Sequence, residues 1–240
     1  MEVAIYILIA ILCYLISGLV HELGHVIVGL ANGWKFYLLV IGPLGIKTDD
    51  KGKIKVYFEK QKVMWSGVGG TLPQNTNVDN IKIWSNVLLG GPLASIVMGV
   101  VFLPLGIITK NIVLLLLGAM PLGMGIMCAL PLPIKTGILF TDGGRWSRLH
   151  KGGQEADEEI ALFKLTENEL IGGDFLNNDL KSIESLIKSK EINIQYYGYY
   201  YEYHYYKSRN NEENMELAVR NMEKIRMKVS SLIVQDCKID

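Results

Sequence analysis

The chain has 240 residues with 24 basic and 24 acidic side chains, a size that suggests one or two domains. It lacks a basic stripe with interleaved aromatic residues, which argues against a nucleic-acid partner. The three cysteines lie far apart without a CxxC pair, so they indicate small buried residues rather than a disulfide framework. Residues 1–150 hold 12 basic against 7 acidic side chains (+5), and residues 151–240 hold 12 against 17 (−5). We therefore predict an apolar domain over 1–150 and a polar domain over 151–240.

The first predicted element is a membrane helix over residues 3–31. Residues 3–20 contain no charged side chain, and the apolar character continues to Ala31. A secretory signal peptide is disfavoured, because Glu2 rather than Lys or Arg precedes the run and no small-x-small cleavage site follows. At 1.5 Å per residue the helix is roughly 43 Å long, which exceeds the ~30 Å hydrocarbon layer, so it must tilt or protrude.

This helix contains the sequence HELGH, which runs from His21 to His25. Residues four apart share a helix face, so the two histidines can bind one zinc ion together. Glu22 lies on an adjacent face, where it can take a proton from a water molecule that the metal activates. Polar groups inside a membrane helix are costly without partners, which favours a functional role over a chance match. By the helix rise, His21 lies about 15 Å from the C-terminal end of the helix and thus below the membrane surface.

The loop after this helix is predicted to contain a β-hairpin that lies at the membrane face. Asn32-Gly33 ends the helix, residues 36–41 are β-branched and aromatic, and apolar and polar residues alternate over 54–59. The turn of the hairpin is assigned to residues 49–52, and the Gly-, Asn- and Thr-rich residues 66–80 are assigned to a flexible loop. Two interpretations stay open: a simple connection, or a strand edge that pairs with an extended substrate.

Two further apolar segments, residues 83–108 and 111–134, predict a second and a third membrane helix. Small residues over 90–95 would let another helix approach closely, or would serve packing alone. Seven lysines in residues 32–80, against Lys110 alone in the next turn, place the long loop in the cytosol. Three spans then put the N-terminus outside and the polar C-terminal half in the cytosol, with the zinc site nearer the cytosolic face.

A catalytic zinc site usually has a third protein ligand besides two histidines. Asp142 is a candidate, because it follows an apolar stretch and precedes two glycines that would let the backbone approach another helix. The alternative is that Asp142 caps a helix that begins near Arg145. His150 and His204 are poorer candidates, since both lie in polar segments.

Three motifs in this order resemble those of the site-2 proteases, a family of intramembrane zinc metalloproteases. HELGH matches the HExxH helix of the family, and Gly91-Pro92-Leu93-Ala94-Ser95 matches its Gly-Pro motif. Residues 128–133, Cys-Ala-Leu-Pro-Leu-Pro, with Asp142-Gly143, match a motif of the form Asn-x-x-Pro-x-Pro followed by Asp-Gly. The resemblance covers roughly residues 3–150.

The resemblance implies that His21, His25 and Asp142 bind zinc, one ion per chain. It also implies that Glu22 is the catalytic acid/base. The reaction implied is hydrolysis of a peptide bond in a membrane-embedded or membrane-associated peptide or protein, near the cytosolic face of the membrane.

The chain departs from the family pattern at Ser95 and Cys128, where Asn is usual. Both changes alter side chains that lie near the active site in the family and bear on the positioning of the substrate. A longer step of nine residues separates Pro133 from Asp142, which implies a loop of different shape that still lets the carboxylate reach the zinc.

Residues 151–240 are predicted to form a soluble all-α domain of helical hairpins. Apolar residues over 180–187 form one helical stripe behind Asn178-Asp179 as a cap, and their spacing over 215–232 predicts one long amphipathic helix. Eight of the twelve tyrosines lie in residues 196–206, in a helix that would pack on several faces. The domain weakly resembles tetratricopeptide-type repeats. It would bind a cytosolic protein partner or form a cap that packs on itself or on the membrane domain, with His204 as a packing residue.

Taken together, the sequence predicts an α-helical membrane protein with about three transmembrane helices, a membrane-face β-hairpin and a soluble helical domain. The leading hypothesis is a zinc endopeptidase in a bacterial cell membrane, with the lipid bilayer and a membrane-bound peptide or protein as its partners. The runner-up is a catalytically degenerate protein that binds or regulates a partner through its cytosolic helices. Glu22 and all three candidate ligands are present, which favours the enzyme. A transporter is weaker, because three spans without an internal repeat build a poor pathway.

Overall fold

The computed structural model describes residues 2–49, 51–75, 79–136, 139–173 and 175–239. Its contacts divide the chain into two compact units. The first unit comprises Met1–Pro131 with Asp142–Gly144, and the second comprises Leu132–Thr141 with Arg145–Asp240. The domain boundary after residue 150 stays a prediction.

Three long helices dominate the first unit: α1 (Glu2–Ala31), α2 (Asn80–Thr109) and α3 (Ile112–Ala129). Among the residues that the structure describes, these three helices are long and apolar enough to cross a membrane. The predicted third segment was too long, because α3 ends at Ala129 instead of residue 134. Leu130 precedes Pro131 and is extended (φ −58°, ψ 128°), since a proline disfavours the helical conformation in the residue before it.

The outer faces of these helices expose many large apolar side chains. Contiguous apolar surface of this kind is rare on water-soluble monomers, and a lipid bilayer would be a compatible solvent for it. Examples from the three helices are Ile7, Leu8, Ile27, Val97, Ile107, Ile108, Ile126 and Met127.

Small residues bring the helices together, as the sequence predicts. A Cβ atom on Gly24 of α1 would collide with the carbonyl group of Gly90 on α2, and one on Gly90 would collide with Gly24 in turn. The two backbones therefore touch at this level of the unit. A Cβ atom on Gly118 of α3 would likewise collide with Leu103 of α2. These approaches fix α2 beside the part of α1 that carries the HELGH sequence.

The loop between α1 and α2 forms a sheet of four antiparallel strands, where the sequence predicted a hairpin. The strands are β1 (Lys35–Ile41), β2 (Leu44–Thr48), β3 (Ile54–Phe58) and β4 (Val68–Leu72), in the spatial order β3-β2-β1-β4. The predicted pairing of 36–41 with 54–59 is wrong, because β2 lies between them. The predicted flexible loop over 66–80 is also wrong in part, since β4 pairs with β1 there. Asp50 of the predicted turn and residues 76–78 of the predicted loop lie outside the described residues.

The alternation of β3 predicts a half-buried strand, but its apolar side chains are exposed. Ile54, Val56 and Phe58 retain 69%, 66% and 65% of their accessible surface. The strand is at the edge of the sheet and pairs with β2 alone. An apolar face is therefore available for contact with lipid or with another protein.

The second unit contains a short hairpin, β5 (Lys135–Thr136) with β6 (Leu139–Phe140), and most of α4 (Asp142–Lys151). Its helices continue with α5 (Gly153–Leu170), α6 (Leu180–Ile187), α7 (Ile192–Lys207), α8 (Glu212–Ile225) and α9 (Ser231–Asp236). They surround one apolar core. Members of this core include Leu162, Leu165, Ile183, Leu186, Ile194, Tyr196, Tyr201, Met222 and Ile233.

Of two predictions for the helices of this unit, one is confirmed and one is wrong. Helix α6 begins behind Asp179, whose carboxylate accepts a hydrogen bond from the Lys181 backbone N–H, as the cap predicts. The single long helix over 215–232 is wrong, because a 3₁₀ turn at Arg226–Lys228 separates α8 from α9. Val229 is extended after this turn, and the chain redirects so that Ile233 becomes fully buried.

The tyrosine-rich segment forms α7, which packs on several faces. Tyr200 and Tyr201 both donate their hydroxyl protons to the carboxylate of Glu169, each at 2.9 Å. The ring of His204 stacks on Phe175 at 4.5 Å between centroids, in agreement with its predicted packing role. The resemblance to tetratricopeptide repeats stays a prediction.

Candidate metal centre

Helix α1 carries two histidines on one face. His21 and His25 are both buried, at 6% and 8% exposure, and their rings lie edge to face with centroids 5.0 Å apart. Their four-residue spacing is the reason that they lie together. Both face the interior of the first unit instead of the apolar outer surface.

Asp142 joins these histidines from a distant part of the sequence. Its Oδ2 atom lies 3.1 Å from Nε2 of His21 and 3.6 Å from Nε2 of His25. Asp142 is the first residue of α4, and Thr141 occupies the capping position, so the alternative role of Asp142 as a helix cap is wrong. Two imidazole nitrogens and one carboxylate oxygen thus converge within the first unit.

The charge state of Asp142 suits a metal ligand. Burial raises the pKa of its carboxyl group, but hydrogen bonds with His21 and His25 outweigh burial and hold that pKa well below its usual range. The carboxylate is therefore ionised at neutral pH.

The other ring nitrogens are held by neighbouring groups on α2. Nδ1 of His25 lies 2.6 Å from the backbone carbonyl oxygen of Val87, so Nε2 is the ring nitrogen that faces Asp142. Nδ1 of His21 lies 3.0 Å from Oγ of the fully buried Ser95. Metal-binding histidines commonly have such partners, because they fix the tautomer and the orientation of the ring. The sequence indicated that residue 95 lies near the site, but not that it contacts His21.

Two glycines leave room for this convergence. A Cβ atom on Gly91 would overlap with Nε2 of His25, so only glycine leaves space beside that nitrogen atom. A Cβ atom on Gly143 would collide with the carbonyl group of Ala129 at the end of α3. The close approach that the glycines after Asp142 predict is thus present. A small cradle with nitrogen and oxygen ligands fits a zinc ion.

Glu22 lies beside strand β4 and the residue that precedes it. A Cβ atom on Gly67 would lie 2.9 Å from its Oε1 atom, and one on Gly69 would lie 2.6 Å from its backbone oxygen. Gly67, the residue before β4, therefore lies beside the carboxylate, and β4 itself lies beside the backbone of the half-buried Glu22. Sequence reasoning missed this strand because glycine-rich segments are typical of loops. Glycine in a strand also marks a close approach of backbones, and that signal could have found it.

Cys128, near the end of α3, was expected only as a small apolar residue or as a replacement for Asn. Its Sγ atom and one ligand atom each from His21 and Asp142 all lie within 4.8 Å of one another. The signal for this placement was its position at the start of the Pro-x-Pro motif.

Comparison of the chain with protein-family models, curated proteins and solved structures found no match. A functional assignment therefore depends on the residues of this site.

Proposed function

We propose that this chain is an intramembrane zinc metalloprotease of the site-2 type, which hydrolyses a peptide bond in a membrane-embedded or membrane-associated peptide or protein. One observation supports this proposal above the others. The Nε2 atoms of His21 and His25 and the carboxylate of Asp142 converge at one point, and Glu22 is the neighbour of His21 on the same helix. The first unit also contains three helices long enough to cross a membrane.

Each residue has a defined role in this proposal. His21, His25 and Asp142 would hold the zinc ion, which supplies Lewis acidity that makes water more acidic and polarises a carbonyl group. Glu22 accepts the proton of the attacking water and returns it to the leaving amine, as a general base and then a general acid. Ser95 orients the ring of His21 from α2.

The substrate would lie as an extended segment along β4. A peptide bond inside a regular helix is shielded, so the substrate must unwind, and its backbone groups then need new hydrogen-bond partners. Strand β4 is the last strand of the sheet and passes beside Glu22. A free strand edge is a template for an added strand. In this proposal the substrate pairs with the edge of β4, whereas the sequence suggested an edge of the predicted hairpin.

The proposal includes an orientation in the membrane. The lysine-rich loop that forms the sheet would lie in the cytosol of a bacterium, and the second unit would lie there too. Cleavage would then take place near the cytosolic face. The second unit would contact a cytosolic protein partner.

The first test is the zinc content of the full chain purified in detergent. We expect about one zinc per chain in the wild type and in Glu22→Gln, and loss of zinc in His21→Ala and in Asp142→Ala. Zinc kept in Asp142→Ala would move the third ligand elsewhere. A wild type that binds no zinc after reconstitution would contradict the zinc-protease hypothesis. It would favour the alternative, a catalytically degenerate protein that binds a partner.

The second test separates a protease from a protein that merely binds zinc. Glu22→Gln should retain membrane peptides that the wild type cleaves, so that mass spectrometry finds intact peptides on the variant and fragments with the wild type. The same intact peptides on both proteins would contradict hydrolysis.

A further inference from the structure

Cys128 brings a third kind of donor atom to the candidate metal centre. It lies one residue before the end of α3, whereas His21 lies on α1 and Asp142 opens α4. Its sulfur lies within 4.8 Å of a donor atom on each of those residues. Cys128 is half-buried and forms no disulfide. Among the described residues, no hydrogen bond holds its sulfur away from the centre.

The distances allow this sulfur to reach a shared ion. Zinc–ligand bonds of about 2.0–2.3 Å place neighbouring ligand atoms of a tetrahedron roughly 3.5 Å apart. The histidine and carboxylate atoms already lie at 3.1 and 3.6 Å. The 4.8 Å group contains His21 and Asp142 but not His25, and a movement of the sulfur on the order of 1 Å brings it to ligand spacing from those two residues.

A cysteine at this place changes what the site can do. Thiolate sulfur is a strong ligand for zinc, and sites with four protein ligands are closed, whereas catalytic sites keep one position for water or substrate. Two histidines, one aspartate and one cysteine would fill all four positions. An amide side chain at the same place would not compete for the ion in this way, because it carries no charge.

We propose that Cys128 is a fourth zinc ligand, which closes the centre in the resting protein and must release the ion before a peptide can be hydrolysed. This inference depends on the proposed zinc site. Coordination replaces the S–H bond with a sulfur–zinc bond and releases one proton to solvent, and departure of the sulfur reverses both changes. The vacated position would then be open to water or substrate, so the sulfur acts as a latch.

The experiment uses the full chain in detergent, loaded with Co²⁺ in place of zinc, because a cobalt–thiolate bond gives a charge-transfer band in the near ultraviolet. We expect the band in the wild type and in Cys13→Ala, and its absence in Cys128→Ala. Cys13 is a matched control, since it lies on α1 two helical turns before His21 and its sulfur contacts the Val113 carbonyl group. The cobalt content of each protein is measured alongside the spectrum.

The outcomes separate this inference from the proposed function. One cobalt per chain without the band in the wild type would overturn the role of Cys128 and leave the three-ligand site intact. A wild type that binds no cobalt would overturn both. The band in Cys128→Ala would assign it to another sulfur and overturn the inference.

Peptide cleavage gives a second readout with zinc. If the closed form exceeds the open form by about ten to one, Cys128→Ala should cleave about tenfold faster than the wild type. Cys13→Ala should cleave at the wild-type rate. An unchanged rate in Cys128→Ala would contradict the latch even where the band is present.

Discussion

The buried carboxylates of the two units interact with different kinds of side chain. In the second unit, Glu159 accepts hydrogen bonds from Nε of both Arg145 and Arg148 at 3.0 Å, and Arg148 also bonds to Glu158. Burial lowers the pKa of Arg148, but these carboxylates outweigh burial and raise it above its usual value. That cluster neutralises itself and has a structural role.

In the first unit, the partners of Asp142 are imidazoles. Among the described residues, no Lys or Arg nitrogen lies within 4 Å of its carboxylate, and the Nε2 atoms of two histidines point to the same place. Electron-pair donors without a cation make a site that a metal ion completes. A buried carboxylate is therefore a candidate for a functional site when its partners can themselves bind a metal ion.

The largest expected effect separates chemistry from metal binding at the first site. Glu22→Gln should lower the cleavage rate about 10²- to 10⁴-fold, because it removes the proposed general base, while the zinc content stays at the wild-type value. Quantification of peptide fragments by mass spectrometry measures the rate. Zinc lost from this variant would show that Glu22 serves as a ligand instead.

A change in the second unit should affect stability alone. Arg148→Met leaves two buried carboxylates with less positive charge, which should lower the free energy of unfolding by about 3–5 kcal/mol. Thermal unfolding followed by the near-ultraviolet circular dichroism of the α7 tyrosines reports on this unit. Lys188→Met removes an exposed ion pair with Glu184 and should cost at most about 1 kcal/mol. Loss of zinc in Arg148→Met would show that zinc binding depends on the ion-pair cluster of the second unit.

The cradle beside His25 gives a smaller and more local effect. Gly91→Ala places a methyl group against Nε2 of His25. Overpacking of this kind costs about 1–3 kcal/mol, so zinc binding should weaken about 10- to 100-fold. Competition with a chelator measures the affinity. Gly123→Ala is the control, because a Cβ atom there meets no other atom within 4 Å. Equal affinities in the two variants would show that the ion does not lie beside Gly91.

The smallest expected effect concerns the orientation of His21. Ser95→Ala removes the hydroxyl group 3.0 Å from Nδ1 and should lower the zinc affinity about tenfold. Ser17→Ala removes another buried hydroxyl, which bonds to the Cys13 carbonyl oxygen, and should leave the affinity unchanged. The same chelator competition distinguishes them. A loss in Ser17→Ala of equal size would point to general damage to the helix packing.

Local patterns predicted the first two long helices and the pair of histidines well, but not the end of α3 or the break between α8 and α9. Four-residue spacing alone places His21 and His25 together, and the run of apolar residues alone defines α1. The order of strands was not predictable in this way, because it depends on which segments meet after the chain folds back. Gly69 and Gly70 favour a loop locally, yet both belong to β4, where Gly69 lies against Glu22. The placement of Cys128 likewise depends on where α3 ends relative to α1 and α4.

The length of α3 has a consequence for how the lipid environment would control the site. Its 18 residues span about 27 Å, whereas the 30 residues of α1 span about 45 Å. If the three helices cross a bilayer with a hydrocarbon layer of ~30 Å, the short helix would draw the surface inward on its side. Cys128 and the first turn of α4 lie at that end of α3. A thin membrane would therefore hydrate the metal centre more readily than a thick one, so membrane thickness would regulate access of water.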